Sequence, residues 1–272
     1  MLHKTVNSLS NTLCMITVLV YISITCGEVS ANEETTTDSA DSVTALTLQN
    51  IAAQIDTRIV SMKMLANTIA NDTHIQQWVE QGFASEAEAL LVDKLGYLVD
   101  EYQLTSASFA DTQSNKYWNH EGFLRVLQPD VDTWYFAYLA SGKQDLISVY
   151  HDKNKHRVDL YVNYKQTNGN GLSGIATSFD GVMAIMTASS LNEQGEVFIV
   201  DNLGMIQLHA NPALAGQASL EQRYSRDAAQ VLLTKQAFNR FEFKLQSTQR
   251  DQQLVSTYIP SMGWYVVGQI NQ

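Results

Sequence analysis

Residues 158–164 have the sequence Val-Asp-Leu-Tyr-Val-Asn-Tyr, in which apolar residues alternate with polar or aromatic ones. This alternation predicts a β-strand, because successive side chains of a strand point to opposite faces of a sheet. One face would carry Asp159, Tyr161 and Asn163. The other would carry Val158, Leu160 and Val162. A face with tyrosine and asparagine opposite an apolar one suits the binding of a small polar ligand.

Three further strand-like runs surround this segment: residues 107–110, 146–150 and 172–179. Polar stretches separate the runs, residues 151–157 on one side of the central segment and residues 165–171 on the other. Short strands joined by such turns favour antiparallel hairpins. An apolar pattern over residues 181–192 predicts a helix that closes this first module, which spans residues 105–192.

A second module follows over residues 193–272. The segment 197–209 contains two strand-like runs joined by a turn from Asp201 to Gly204. Three more runs complete it: residues 241–245, 254–259 and 264–268. The sequence therefore predicts two small mixed modules in series.

Residues 43–104 precede the modules and are predicted to be helical. Apolar residues recur every three or four positions from residue 43 to about residue 79, as one face of a long helix requires. They are Leu48, Ile51, Ile55, Ile59, Met62, Leu65 and Ile69. Gly82 interrupts the pattern, and Ser85 predicts a serine-capped second helix that packs back on the first. The predicted fold class is α+β, with a long N-terminal helix ahead of two antiparallel sheets.

Residues 1–31 are typical of an export signal, with a basic start, an apolar run over residues 13–22 and small residues before Asn32. The run is shorter than the roughly 20 residues that a spanning helix needs. Cleavage after Ala31, an uncleaved signal anchor and lipidation of Cys26 remain as alternatives. The acidic, hydroxyl-rich residues 32–42 predict a flexible leader.

Composition excludes several classes of function. The chain has 272 residues with 28 acidic and 17 basic side chains, a net charge of -11, which argues against binding nucleic acid. Both cysteines, Cys14 and Cys26, lie in the export segment. A protein cleaved after Ala31 would therefore have no thiol for catalysis, metal binding or disulfides.

Enzyme motifs have little support in this sequence. Residues 169–174 match G-x-G-x-x-G, but they lie between two strand-like runs instead of opening a helix, so they predict a turn. Ser173 lacks the G-x-S-x-G frame of a hydrolase nucleophile. His151 and His156 could bind a metal ion, but the basic residues around them favour a solvated hairpin tip.

Seven segments together have a familiar order and spacing: Gly122–Pro129, Asp132–Tyr135, Ser141–Gly142, Tyr161–Tyr164, Gly174–Ala176, Phe198–Gly204 and Met262–Trp264. They resemble the double-Cache family, the extracytoplasmic sensor domains of bacterial chemoreceptors, histidine kinases and diguanylate cyclases. The resemblance covers about residues 43–270. It implies a long helix followed by two PAS-like modules, the first membrane-distal and the second membrane-proximal.

The resemblance also implies a ligand site in the distal module, between its sheet and the loop that carries a Trp-Tyr pair. The candidate ligand-binding residues are Tyr117, Asp132, Trp134, Tyr135, Tyr150, Tyr161, Asn163 and Asp180. Trp134 and Tyr135 would form the wall of this pocket. For each aromatic residue, packing in the core or in a hairpin remains the alternative.

Asp132 departs from the amino-acid sensors of the family, which place an arginine two residues before the tryptophan to hold a carboxylate. A carboxylate cannot pair with another carboxylate. We therefore expect an amine or another small polar metabolite in preference to an α-amino acid, with Asp132 and Asp180 as counter-charges.

These predictions describe a free periplasmic sensor that signals through a membrane-bound partner such as a diguanylate cyclase, histidine kinase or chemoreceptor. In the related receptors the long helix pairs with its own copy, so a homodimer is a further expectation. No enzymatic activity, cofactor or metal site is expected. One alternative is a membrane-anchored or truncated portion of a receptor that uses residues 13–24 as its anchor. Another is an exported solute-binding protein or enzyme.

Overall fold

The structure is a computed structural model that describes residues 32–152, 157–244 and 251–271. The predicted export signal over residues 1–31 and the tip of the predicted hairpin at residues 153–156 lie outside the described residues. Both sheets belong to one compact unit, which begins at Ala40. Across the described ranges, no helix combines the length and the apolar character that a membrane span requires.

The long N-terminal helix is α1, Asn32–Ala70. The predicted apolar face is confirmed: Leu65 is partly buried and packs against the core, and the other six residues are buried. The start differs from the prediction, because residues 32–42 are helical and do not form a flexible leader. Extending an existing helix fixes one residue for each hydrogen bond gained, so a polar segment next to a stable helix can follow it.

The predicted continuation of α1 to residue 79 is wrong, because the helix ends at Ala70 and α2, Thr73–Glu80, begins anew. Asp72 causes the break: its Oδ1 accepts hydrogen bonds from the backbone N–H groups of His74 at 3.0 Å and Ile75 at 3.1 Å. A side chain that caps a new helix in this way replaces the backbone bonds of the old one.

The second predicted helix is α3, Ser85–Glu101. Gly82 and Phe83 precede it with φ angles of 79° and 66°, which ends α2. The predicted serine cap is wrong, because Ala84 occupies the N-cap position and Ser85 is the first helical residue. The buried residues Leu91 and Leu95 join the same core cluster as Ile75 of α2.

The first sheet has six antiparallel strands in the order β3-β2-β1-β6-β5-β4. The strands are β1 Ser106–Asp111, β2 Lys116–Asn119, β3 Gly122–Val126, β4 Asp145–Asp152, β5 Arg157–Lys165 and β6 Gly171–Ser178. Helix α4, Thr133–Ala140, connects β3 to β4. The strand predictions for β1, β4, β5 and β6 are confirmed. Strands β2 and β3 were missed because they are short and β3 is exposed along most of its length.

Two helices and the second sheet complete the chain. The helix predicted over residues 181–192 is divided into α5, Asp180–Thr187, and α6, Leu191–Gln194. The second sheet is antiparallel, in the order β8-β7-β11-β10-β9. Its strands are β7 Gly195–Val200, β8 Ile206–Leu208, β9 Asn239–Lys244, β10 Asp251–Ile259 and β11 Trp264–Asn271. Between β8 and β9 lie α7, Leu220–Arg223, and α8, Arg226–Leu232.

The predicted turn from Asp201 to Gly204 is confirmed. The Oδ1 of Asp201 accepts the backbone N–H groups of Leu203 and Met205, each at 2.9 Å. Gly204 has a φ of 81°, a left-handed conformation that glycine adopts without steric cost.

Helix α1 packs against both sheets. One core cluster contains its apolar face together with Leu160 and Val162 of the first sheet and Val255 and Val266 of the second. Two neighbouring polar residues of the helix add specific bonds. Arg58 Nη2 donates to Thr177 Oγ1 of β6 at 2.6 Å, and Asp56 Oδ1 accepts the N–H of Ser261, in the β10–β11 turn, at 2.8 Å.

The opposite face of the second sheet carries a partly buried polar cluster. The carboxylate of Glu196 forms ion pairs with Arg223 and with His209, whose Nε2 lies at 3.1 Å. It also accepts a hydrogen bond from the Tyr224 hydroxyl at 3.3 Å. Tyr224 also donates to Gln269 Oε1 at 2.7 Å. Burial raises the pKa of Glu196, but the bond from His209 and the charge of Arg223 outweigh it, so that pKa lies below its usual range. The cluster fastens α7 to β7 and β11.

Candidate functional site

Strand pairing gives the first sheet one face that turns away from α1. Directly paired residues of antiparallel strands point to the same side. The pairs on this face are Tyr150 with Asp159, Ser148 with Tyr161, Asn163 with Gly174, Gly174 with Ser108, and Ala110 with Tyr117. The predicted residues on β2, β4 and β5 therefore share one continuous surface, which we call the outer face.

Helix α4 covers part of the outer face with the predicted Trp-Tyr pair. Tyr135 is fully buried, and its hydroxyl donates to Asn115 Oδ1 at 3.1 Å. Burial, aided by the charge of Asp111, raises the pKa of Tyr135 to about 12. Trp134 is 40% exposed, with its ring 6.4 Å from that of Tyr117. Tyr135 therefore anchors α4, whereas Trp134 is accessible.

Asp132 lies just before α4 and is buried, but it is already paired. Its Oδ1 is 2.5 Å from Arg125 Nη2, and its Oδ2 accepts the N–H of Gln128 at 2.9 Å. The Arg125 hydrogen bond holds the pKa of Asp132 below its usual range in spite of burial. A carboxylate neutralised in this way attracts an amine weakly, which corrects the expectation that Asp132 supplies the counter-charge. The Arg125 side chain remains 52% exposed.

The floor of the outer face is closely packed around Gly174. A Cβ at this position would lie 2.8 Å from both Asn163 Oδ1 and Ser108 Oγ. Ser108 Oγ donates to the Gly174 carbonyl at 3.0 Å. Burial raises the pKa of Tyr117, and a hydrogen bond with Ser108 partly offsets this effect. Glycine is needed here because two polar side chains meet over its backbone.

Two tyrosines form the other end of the outer face. The rings of Tyr150 and Tyr161 are 6.3 Å apart and nearly perpendicular, at 88°. Tyr150 is 56% exposed, whereas Tyr161 is half-buried. Asp159 lies beside them and is buried. This end presents aromatic surface next to a carboxylate.

Asp180 is separate from this arrangement. It is the exposed first residue of α5, and its backbone N–H donates to Ser178 Oγ at 3.0 Å. Among the described contacts, none joins its carboxylate to the other seven predicted residues. The prediction that Asp180 takes part in the site therefore has no support from the geometry.

Three residues of the outer face were not named as candidate ligand-binding residues from the sequence: Arg125, Ser108 and Asp159. The alternation in β5 had already placed Asp159 beside Tyr161 and Asn163. Ser108 could have been found from the same alternation in residues 106–110. Arg125 gave no such signal, because its importance depends on the pairing of β3 with β2 and on the position of Asp132.

The glycine-rich segment over residues 169–174 is a turn entering a strand, as predicted. Gly171 lies against the end of α1, where a Cβ would come 2.3 Å from the Ala70 carbonyl oxygen. Of the candidate metal pair, His156 and the side chain of His151 lie outside the described residues.

No family model matches the sequence. Among solved structures, the extracellular domain of a protein described as a histidine kinase aligns with a TM-score of 0.67 and 14% identity, over 85% of this chain and 97% of that one. The ligand-binding domain of the Pseudomonas fluorescens chemoreceptor CtaA, in complex with L-serine, aligns with a TM-score of 0.63 and 18% identity, over 86% and 98%.

A third structure comes from Vibrio parahaemolyticus and is a domain of a protein described as a member of the sensory box/GGDEF family. It aligns with a TM-score of 0.64 and 11% identity, over 88% of this chain and 97% of that one. All three neighbours are sensor domains or parts of sensory proteins. The protein therefore has the fold of a Cache-type sensor domain, with two antiparallel sheets following a long N-terminal helix.

Proposed function

We propose that the protein is an extracytoplasmic sensor domain that binds a small amine-bearing metabolite on the outer face of the first sheet. The single observation that carries this proposal is the continuous surface formed by Trp134, Tyr117, Asn163, Tyr161 and Tyr150. Aromatic walls around a few polar groups are typical of small-molecule sites. The first sheet would be the membrane-distal module, and the second the proximal one.

The amine is favoured by the tyrosine end of the outer face. An ammonium group over the rings of Tyr150 and Tyr161 gains cation–π attraction. This assignment replaces Asp132, whose charge is balanced by Arg125. The CtaA domain was solved with L-serine, which carries both an amine and a carboxylate. A carboxylate meeting the exposed part of Arg125 is the second candidate for the ligand group.

A thermal-shift screen of the purified protein against amines, amino acids and carboxylates tests the proposal. A ligand at about 100 times its Kd adds about 2.7 kcal/mol of stability. Trp134→Ala and Tyr150→Ala should each weaken binding, and both side chains are exposed enough to be removed without loss of folding. Tyr97→Ala is the matched control, because Tyr97 is 63% exposed on α3.

Each result has a defined meaning. Stabilisation by amines that both variants reduce, and the control does not, supports the proposal. Stabilisation by carboxylates alone, abolished by Arg125→Ala, keeps the sensor role and overturns the amine class. A folded protein that no compound stabilises contradicts small-ligand sensing and favours a protein partner as the ligand.

We further propose that the protein acts outside the cytoplasm and signals through a membrane-bound partner. The Cache-type fold and the apolar run over residues 13–22 support this placement. Cell fractionation and the mass of the purified N-terminus test it. A start at Asn32 in the periplasm supports a free sensor, and an intact Met1 in the membrane fraction supports an anchored receptor.

A further inference from the structure

A groove lies on the helix side of the first sheet, opposite the outer face. It encloses about 150 Å³ where the end of α2 meets the end of β1 and the β5–β6 turn. Its lining residues are Gln76, Val79, Glu80, Phe109, Asp111, Gln166 and residues 168–171. Apart from Val79, Phe109 and two glycines, all of these carry carboxylate or carboxamide groups. The groove is thus rich in oxygen, and no basic side chain is among the described residues that line it.

Asp111 is the notable member of this lining. The residue is 2% exposed, so its charge is buried. Its Oδ2 accepts the N–H of Ser114 at 2.7 Å and the hydroxyl of the same residue at 2.5 Å. Its Oδ1 has no hydrogen-bond partner among the described residues. A buried carboxylate oxygen without a partner is costly, and such oxygens usually bind a cation or ordered water.

We propose that this groove binds a hard divalent cation of the Ca²⁺ type. Calcium takes six to eight oxygen ligands, among them carboxylates, carboxamide and carbonyl oxygens and water. Asp111 would be the inner ligand and Glu80, exposed at the end of α2, the outer one, with Gln76 and Gln166 beside them. A metal ion approaches oxygen to about 2.4 Å, closer than water does, so Asp111 Oδ1 can act as a ligand although water reaches it poorly.

The position suggests what the cation does. The β5–β6 turn lies against the last turn of α1, with Gly171 beside the Ala70 carbonyl. Gln166 Oε1 accepts the N–H of Gly171 at 3.1 Å, which fixes the turn next to the groove. A cation that joins Glu80 of α2 to Asp111 of β1 would hold this helix end, strand end and turn together. Because the groove and the outer face lie on opposite sides of the sheet, the cation is distinct from the ligand proposed above.

The number of carboxylates in the groove determines the affinity for Ca²⁺ that we expect. No group of three or more acidic, histidine or cysteine side chains gathers among the described residues. Two carboxylates with neutral oxygens predict weak binding, with a Kd of roughly 10⁻⁴ to 10⁻³ M, as in other extracellular calcium modules. Such an affinity would stabilise the protein in a calcium-containing exterior and release the ion at low calcium.

Isothermal titration with CaCl₂ and thermal unfolding in CaCl₂, MgCl₂ or EDTA at constant ionic strength test the proposal. We expect Ca²⁺ to raise the Tm more than Mg²⁺ does, because the smaller ion demands a stricter octahedral geometry. Glu80→Gln should weaken Ca²⁺ binding about tenfold, and Asp111→Asn should abolish it. Asp93→Asn, an exposed acid on α3, is the matched control and should bind as the unmodified protein does.

The variants distinguish a specific site from general screening of the net charge of -11. A Ca²⁺ effect that Glu80→Gln and Asp93→Asn leave equally intact overturns the proposal, as does the absence of any Tm shift up to about 10 mM. Should Asp111→Asn fail to fold, Glu80→Gln still decides, because Glu80 is exposed. Loss of Ca²⁺ binding in that variant with retained amine binding separates this site from the outer face.

Discussion

Arg125 Nη2 lies 2.5 Å from Oδ1 of Asp132, joining an exposed strand of the first sheet to the buried residue that precedes α4. The pair fixes the loop that brings Trp134 to the outer face. The pair also removes the negative charge that the sequence predicted at this position, because Arg125 of β3 neutralises Asp132. The Arg125 side chain is about half exposed, so a ligand at this end can contact it.

The Arg125–Asp132 pair predicts a pH-dependent contribution to stability. Because the folded-state pKa of Asp132 is lowered, its contribution is present above the unfolded pKa, about 3.9, and is lost as the pH falls through the folded value. Asp132→Asn should therefore cost about 1–2 kcal/mol at pH 7, and progressively less as the pH falls below about 3.9. The figure is smaller than for a fully buried pair, because Arg125 is half exposed.

Urea unfolding of Asp132→Asn and the unmodified protein at pH 7, 5 and 3 measures this contribution. Asp93→Asn serves as the control, because Asp93 is an exposed acid outside the pair. A difference in unfolding free energy that is the same at all three pH values would show that the carboxylate charge of Asp132 does not stabilise the fold.

Gly174→Ala should damage the outer face directly. Its Cβ would lie 2.8 Å from both Asn163 Oδ1 and Ser108 Oγ, and Asn163 and Ser108 are both buried. Overpacking of this kind costs about 1–3 kcal/mol. Gly181→Ala is the matched control, because nothing lies within 4 Å of its added Cβ and alanine favours the helix. Equal thermal stability of the two variants would contradict the close packing at Gly174.

Asp72→Ala should destabilise the junction between α1 and α2. The substitution removes the two N–H bonds that begin α2 and the ion pair with Lys94 of α3. Loss of an N-cap costs about 0.5–2 kcal/mol. Asp72→Asn retains the cap and removes only the charge, so chemical denaturation should place it between Asp72→Ala and the unmodified protein. If the two variants are equally unstable, the helix cap of Asp72 does not contribute to the stability of the fold.

Tyr224→Phe tests the polar cluster of the second sheet. The hydroxyl of Tyr224 bridges Glu196 at 3.3 Å and Gln269 at 2.7 Å, while its ring packs 5.7 Å from that of Phe243. Removing the hydroxyl alone should cost about 1 kcal/mol, the usual net value of a hydrogen bond. Tyr97→Phe, at an exposed position, should cost nothing measurable. A similar midpoint for both variants in urea would mean that the cluster does not fasten α7.

Periodicity made much of the fold predictable. The apolar face of α1 and the alternation in β5 each extend over so many residues that the patterns are unlikely to arise by chance. Strand β3 could not be found in this way, because its side chains are mostly exposed and its pairing with β2 depends on distant contacts. The break at Asp72 was missed because the apolar pattern continues through it, and only the side-chain bonds reveal the cap.

The candidate site was predictable only in part. Alternation and the Trp-Tyr pair located the face and its aromatic residues. The charges could not be assigned, since sequence spacing cannot show that Arg125 reaches Asp132 or that Asp180 is the first residue of a helix. Electrostatic partners are set by tertiary packing, so their signs and pairings need the structure.

Asp56 and Arg58 are two positions apart on α1, and successive helical residues are separated by about 100° around the axis. Their side chains therefore leave the helix in nearly opposite directions, one toward the β10–β11 turn and the other toward β6. The same turn of α1 is therefore hydrogen-bonded to both sheets, on opposite sides of the helix. A displacement of β6 would thus be transmitted to the β10–β11 turn across one helix diameter, about 10 Å. It would not have to pass along the length of the helix.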